Sequence, residues 1–289
     1  MDSSKLNPWE IVPQPLPLSL VVRASDHLPR PFRGYVRAAA ARLFAGSEYS
    51  AVTRFGTHVC PVSNQMFLRS RISEATDSRL LASLIKPGMT VVDVGANHGW
   101  YTLMASHLVG SAGTVVAVEP DARALNILKR TLAVNSCSDN VIVVERAVGD
   151  QTGVREFVQA PSSAVSHLRR NHESAVTTVL VEVESLDSIL EKHGVAAVDI
   201  VKIDVEGAEL EVLCGMRRIL SHCLPIILAE GRSHVGSQLG RRMMDIPEFL
   251  GLGYECKWVC ERHDCLEPLD SACVGESGWN LLCLPRVGG

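Results

Sequence analysis

From Ser78 onward the chain alternates short apolar runs with helical stretches, and this succession constrains the fold more than any other feature of the sequence. The helical stretch Ser78 to Ile85 stops at Lys86-Pro87-Gly88, and the run Thr90 to Val94 follows, closed by Gly95. An apolar run this short, bounded by glycine, fits a parallel strand buried on both faces. The alternation repeats through helix Trp100 to Val109, strand Thr114 to Val118, helix Ala122 to Asn135 and strand Val141 to Val144. It resumes with strand Thr178 to Val183, helix Leu186 to Lys192, strand Val198 to Ile203, helix Ala208 to Leu220 and strand Ile226 to Ala229. A helix over roughly Leu239 to Leu250 precedes two closing strands, Tyr254 to Val259 and Asn280 to Leu284, which read as an antiparallel edge hairpin. The expected fold is α/β: a mostly parallel seven-stranded sheet with helices on both faces, in which ligands bind beyond the carboxyl ends of the strands.

The segment before this pattern differs. Residues 1 to about 30 are Pro-rich and aperiodic, an extended arm; Tyr35 to Phe44 is Ala-rich and expected to be helical; Thr53 to Ile72 reads as a hairpin. The division expected is 1–76 for arm, helix and accessory hairpin, and 77–289 for the main domain. At 289 residues, with 46% hydrophobic and 21% charged residues, the chain can fill one core. The net charge of −4 argues against a mainly electrostatic nucleic-acid binder. No apolar run spans a bilayer and no secretion signal is legible at the start, so a soluble protein is expected. Nine cysteines, an odd number, point to thiols in a reducing compartment, and hence to the cytoplasm.

The first strand ends in Asp93-Val94-Gly95-Ala96-Asn97-His98-Gly99 with a helix directly after it. Glycines there permit a sharp turn and close approach of a ligand, and the helix start offers free amides to it. A nucleoside cofactor is implied, although the spacing is neither G-x-G-x-x-G nor a P-loop. The second strand ends at Glu119-Pro120-Asp121, where an acid can accept hydrogen bonds from both ribose hydroxyls. The fourth unit ends in Lys202-Ile203-Asp204-Val205-Glu206-Gly207-Ala208-Glu209, a crowd of carboxylates that is costly unless hydrated, paired or set against a cation.

These motifs, together with Leu186-Asp187, Gly215 and Glu230, resemble the FkbM-type methyltransferases over about Thr76 to Glu230. That resemblance implies the Rossmann-like class I methyltransferase fold, S-adenosylmethionine as cofactor, and methyl transfer to a hydroxyl of a small-molecule, sugar or lipid-like acceptor. It implies that the loop from Asp93, with Gly95, Ala96, Asn97 and Gly99, lines the methionine part, with Tyr101 nearby. Glu119 would hold the ribose, and Arg146 and Ala147 would flank the adenine. Asp204 is the leading candidate for the base that takes the acceptor proton, with Glu206 and Glu230 as alternatives or orienting partners. The same three acids would suit a magnesium ion, while Glu206 and Glu209 would also serve as helix-capping acids. The rival readings are an NAD-type oxidoreductase and a non-catalytic partner protein that keeps the fold.

Other features carry less. Cys256, Cys260, Cys265 and Cys273 with His263 match no paired zinc spacing and read as free thiols. The pairs Lys129-Arg130, Arg169-Arg170, Arg217-Arg218 and Arg241-Arg242 read as solvated faces. His98 is placed to meet cofactor or acceptor, or only to pack. The polar insert Pro161 to Ala175, with Ser162, Ser163, His167 and His172, is either a lid on the acceptor side or a variable surface loop.

Overall fold

The computed structural model describes residues 12–14, 48–61, 75–137, 139–160, 163, 166–169, 177–231, 245–260, 265–269 and 279–286. In chain order the strands are β1 (Val12–Gln14), β2 (Glu48–Thr53), β3 (Gly56–Pro61), β4 (Thr90–Val94), β5 (Thr114–Val118), β6 (Val141–Val144), β7 (Ala147–Val148) and β8 (Gly153–Val158). They continue as β9 (His167–Leu168), β10 (Thr178–Glu184), β11 (Ile200–Asp204), β12 (Ile226–Gly231), β13 (Tyr254–Cys260), β14 (Cys265–Glu267) and β15 (Trp279–Pro285). The α-helices are α1 (Ala75–Leu84), α2 (Trp100–Val109), α3 (Ala122–Val134), α4 (Leu186–Lys192), α5 (Glu209–Cys214), α6 (Arg217–His222) and α7 (Ile246–Leu250).

The central sheet has the order β14-β13-β15-β12-β11-β4-β5-β6. Its middle strands β6, β5, β4, β11 and β12 are parallel, and β15 joins β12 antiparallel. Seven of the eight strands read from the sequence lie in this sheet, and the three-residue β14 adds another at the edge. The closing strands do pair with each other, but the last strand, β15, inserts between β12 and β13.

Alternation along each buried strand divides the core between two faces. Val91, Val115, Ile200 and Leu228 pack with Leu81 and Ile85 at α1 and with Tyr101 and Met104 of α2. Val92, Val94, Val116, Val201 and Ile203 pack with Leu186, Leu190, Leu210, Leu213 and Ile219 from α4 to α6. Both faces are covered, which is why these strands read as unbroken apolar runs.

Several elements depart from the sequence reading. The strand expected over Thr178 to Val183 lies outside the central sheet, in a four-stranded one of order β7-β10-β8-β9. The helix expected over Ala208 to Leu220 is broken into α5 and α6 at Gly215, where an added Cβ would fall 2.2 Å from the Gly149 carbonyl oxygen. Asp187 caps the second piece, accepting the backbone N–H groups of Arg218 and Ile219. The expected hairpin sits earlier than placed, over β2 and β3 with its turn between Thr53 and Gly56. It docks on α3: the Thr57 N–H donates to Asn135 Oδ1, Asn135 Nδ2 donates back to the Thr57 carbonyl, and the Val59 N–H donates to Thr131 Oγ1. The expected helix over Tyr35 to Phe44, most of the Pro-rich arm, and residues 239–244 of the later helix lie outside the described residues. Among the described residues no helix is long and apolar enough to cross a membrane.

Candidate cofactor and catalytic site

The turn after β4 is built by contacts within the protein. Gly95 has φ +80°, and an added Cβ there would lie 1.8 Å from the backbone oxygen of Asp204. Only glycine lets β4 and β11 end this close together, and that approach brings the Asp204 region to the glycine loop. Gly99, with φ +87°, starts α2 and would drive a Cβ to 2.5 Å from the Leu128 side chain. Both glycines thus answer to neighbouring chain, a constraint the sequence reading did not include.

Glu119, at the end of β5, is 6% exposed and held from two sides: Asn97 N–H donates to Oε2 and Asp121 N–H to Oε1, each at 2.8 Å. Burial pushes its carboxyl up to about 7, against the pull of those two amides. Asp121 then caps α3 through the Arg123 N–H and pairs with the Arg123 guanidinium, so the acid and the helix start are fixed together.

On the α1/α2 side of the sheet, β11 carries a buried ammonium. Lys202, 3% exposed, donates to Asp204 Oδ2 at 2.9 Å, and its Nζ lies 4.6 Å from the Tyr101 ring centroid. Asp93 faces the same lysine in the β4–β11 register and accepts the Thr102 hydroxyl at 2.6 Å. Burial raises its carboxyl, and its Oδ1 has no hydrogen-bond partner among the described residues. Asp204 sits at the strand mouth with its side chain 29% exposed, one oxygen held by Lys202. Glu206, in the turn after it, has φ +55°. Glu209 folds back onto the Gly207 N–H and is raised to about 7 by burial, so it acts as a capping acid of that turn.

These ends enclose an open cleft of about 560 Å³ including its mouth. Of the residues anticipated from sequence, Gly95, Asn97, Glu119, Arg146, Ala147, Asp204 and Glu206 line it. Asp93, Ala96, Gly99, Tyr101 and Glu230 do not; Glu230 lies beside Asp204 in the β11–β12 register. Arg146 is tied to Glu182 and Glu184 of β10 at the rim.

The second sheet supplies a wall the sequence reading missed. Phe157 of β8 and Leu168 of β9 pack with Ala147 and face the cleft, as do Ser163 and Ser166. The β-branched and aromatic residues Val154, Phe157 and Val158 after Gly153 are the signal that would have revealed β8. Ser163 belongs to the polar insert and reaches the glycine loop: its hydroxyl donates to Asn97 Oδ1 at 2.8 Å and lies 2.9 Å from His98 Nε2. His98 is buried, which lowers it to about 4 and keeps it neutral near pH 7. The rest of the insert, apart from 166–169, is outside the described residues, as are His263 and Cys273.

The donor set fits an adenosyl sulfonium. Glu119 offers a buried carboxylate to hydroxyls, the apolar wall suits a flat base, and Asp204 and Glu206 would bring negative charge toward a positive sulfur in the same cleft.

A family model described as the methyltransferase FkbM domain matches residues 93–256. Methyltransferase sdnD of Sordaria araneosa is 28% identical over 155 residues, which cover 44% of this chain and 60% of that protein. The chain therefore spans less than two thirds of this curated relative. Among solved structures, an FkbM methyltransferase from Methylobacillus flagellatus KT aligns with 77% of this chain and 53% of its own, at 16% identity and a TM-score of 0.45. SMU.1697c from Streptococcus mutans, solved in complex with SAH, aligns with 74% of this chain and 98% of its own, at 11% identity and a TM-score of 0.46.

Proposed function

Since the chain belongs to the FkbM-domain methyltransferase family, on a Rossmann-like class I methyltransferase fold, we propose that it uses S-adenosylmethionine to methylate a hydroxyl of a small-molecule, sugar or lipid-like acceptor. The observation that carries the proposal is the cleft itself, where a buried Glu119 and a lysine-held Asp204 face one space.

The cofactor supplies a methyl group on a positively charged sulfur. Glu119 accepts the ribose hydroxyls, Ala147, Phe157 and Leu168 flank the purine, and Gly95 and Asn97 border the methionine end. Lys202 keeps one oxygen of Asp204 occupied, so the carboxylate is fixed in orientation and its other oxygen is available to the acceptor hydroxyl. Alignment of that hydroxyl with the methyl group is worth several kcal/mol by proximity alone, and removal of its proton adds the rest. Glu206 lines the same mouth and orients the acceptor.

Titration calorimetry with S-adenosylmethionine, S-adenosylhomocysteine and NAD tests the cofactor. Binding of NAD without either sulfur compound would overturn the proposal. Asp204→Asn should keep cofactor affinity while turnover falls by about 10²-fold or more; unchanged turnover would remove the base role. Product analysis against hydroxylated small molecules and total RNA decides the acceptor class, with methylated RNA the contrary result. Turnover that survives chelation is expected.

A further inference from the structure

Outside the cleft, the far edge of the central sheet sets cysteines against each other. Cys256 of β13 and Cys283 of β15 are direct partners in the antiparallel register, and their Sγ atoms lie 2.6 Å apart. Directly opposed residues of an antiparallel pair have Cα atoms about 4.5 to 5.5 Å apart, inside the window that a disulfide requires without backbone movement. Cys260 and Cys265 are also opposed in register, but there Cys265 Sγ is 3.8 Å from Glu267 Oε1.

The two thiols of the first pair are unequal. Cys283 is fully buried, whereas Cys256 is partly exposed. The shared hydrogen bond lowers Cys256, helped by the charge of Arg286, and the same bond and burial raise Cys283. One sulfur is thus the reachable nucleophile and the other the sheltered resolving thiol.

We infer that Cys256 and Cys283 form a redox-active dithiol site that exchanges with low-molecular-weight disulfides such as glutathione disulfide. In the first step the Cys256 thiolate attacks one sulfur of the reagent; a Cys256–glutathione bond forms, the reagent's S–S bond breaks, and one glutathione leaves and takes a proton. In the second, Cys283 gives up its proton and attacks the Cys256 sulfur, releasing the second glutathione. Two protein thiols are oxidised and one disulfide is reduced to two thiols, so electrons and atoms balance. The new bond would span β13 and β15 where they already pair, and so requires no rearrangement of the sheet.

The test is incubation of the native full-length protein with glutathione disulfide, followed by intact mass and non-reducing peptide mapping. The expected product has lost two hydrogens, carries no glutathione at this pair, and yields a Cys256–Cys283 linked peptide. Cys283→Ala should stop at a stable glutathione adduct on Cys256, and Cys256→Ser should leave Cys283 unmodified in the folded protein. Linkage through Cys223, Cys260 or Cys265 instead, or no oxidation of the folded chain while its denatured form reacts, would overturn the inference. Folding of each variant is checked by its circular dichroism before exposure to the reagent. The single variants report independently, so a failure of one to fold leaves the other and the wild-type map to decide.

Discussion

In the proposed function, Glu119 would tie cofactor recognition to pH. Its carboxyl is raised to about 7 because burial strips its water and two amides only partly replace it. Ribose hydroxyls would donate to the ionised form, so binding pulls a proton off and the affinity depends on pH. Affinity for S-adenosylhomocysteine should weaken as pH falls below about 7, by up to tenfold per unit. Glu119→Gln should lower affinity roughly tenfold or more at pH 8 and flatten that dependence. Calorimetry across pH 5.5 to 8 checks both, and a wild-type profile as flat as the variant's would dismiss the role. Glu119 and Asp204 were legible in the sequence because each ends a strand just before a helix, where the fold class directs function. The pairing of Lys202 with Asp204 was not anticipated. The residues stand two apart on a strand and so share a face, but whether that face is dry enough to force the pairing depends on Tyr101 and Asp93, which other segments bring in.

Between elements, close approaches account for positions that sequence patterns treat as interchangeable. Gly95 and Gly215 both sit where another chain segment's carbonyl lies within about the length of a bond or two of a hypothetical Cβ, 1.8 and 2.2 Å. The β2–β3 hairpin is an instance of the same dependence on distant partners. Its edge is satisfied by the side chains of Thr131 and Asn135, which stand in for a neighbouring strand, and Phe55 and His58 pack on α2 through His107 and Trp100. Asn135→Ala would leave the Thr57 N–H and C=O without those bonds. We expect it to cost about 1–3 kcal/mol in urea denaturation while cofactor affinity stays the same. A loss below a few tenths of a kcal/mol would mean the hairpin is held by its apolar contacts alone. The hairpin was expected from the β-branched and glycine pattern, yet it was placed over Thr53 to Ile72 and its first strand was missed, because the turn at Arg54-Phe55 carries no Asn-Gly or Asp-Gly signal.

At the scale of the whole molecule, buried ionisable groups set the response to acid, and they act in opposite directions. Glu119 and Glu209, raised from 4.5 to about 7, favour the fold at low pH and lose that contribution as pH rises through 7. His58 and His98, lowered by burial from 6.5 to about 3 and about 4, stay neutral in the fold while the unfolded chain takes up protons, so their effect destabilises as pH falls below 6.5. His98→Asn removes one term of this balance. Relative to wild type, the variant should gain stability as pH drops from 6.5 to 4, on the order of 1 kcal/mol per unit, measured by denaturation at each pH. A difference that does not change with pH would place His98 in contact with water. The sequence alone determined the succession of the central sheet's main strands, the glycine turn, and the acids at strand ends, because hydrophobic period and turn chemistry are local properties of the chain. Tertiary structure alone decided that β8 and β9 wall the cleft, that β15 slips inside β13, and that Lys202 faces Asp204 and Cys256 faces Cys283. Those relations join residues far apart in sequence or depend on how dry a face becomes, and both are fixed only when the packed sheet sets its register.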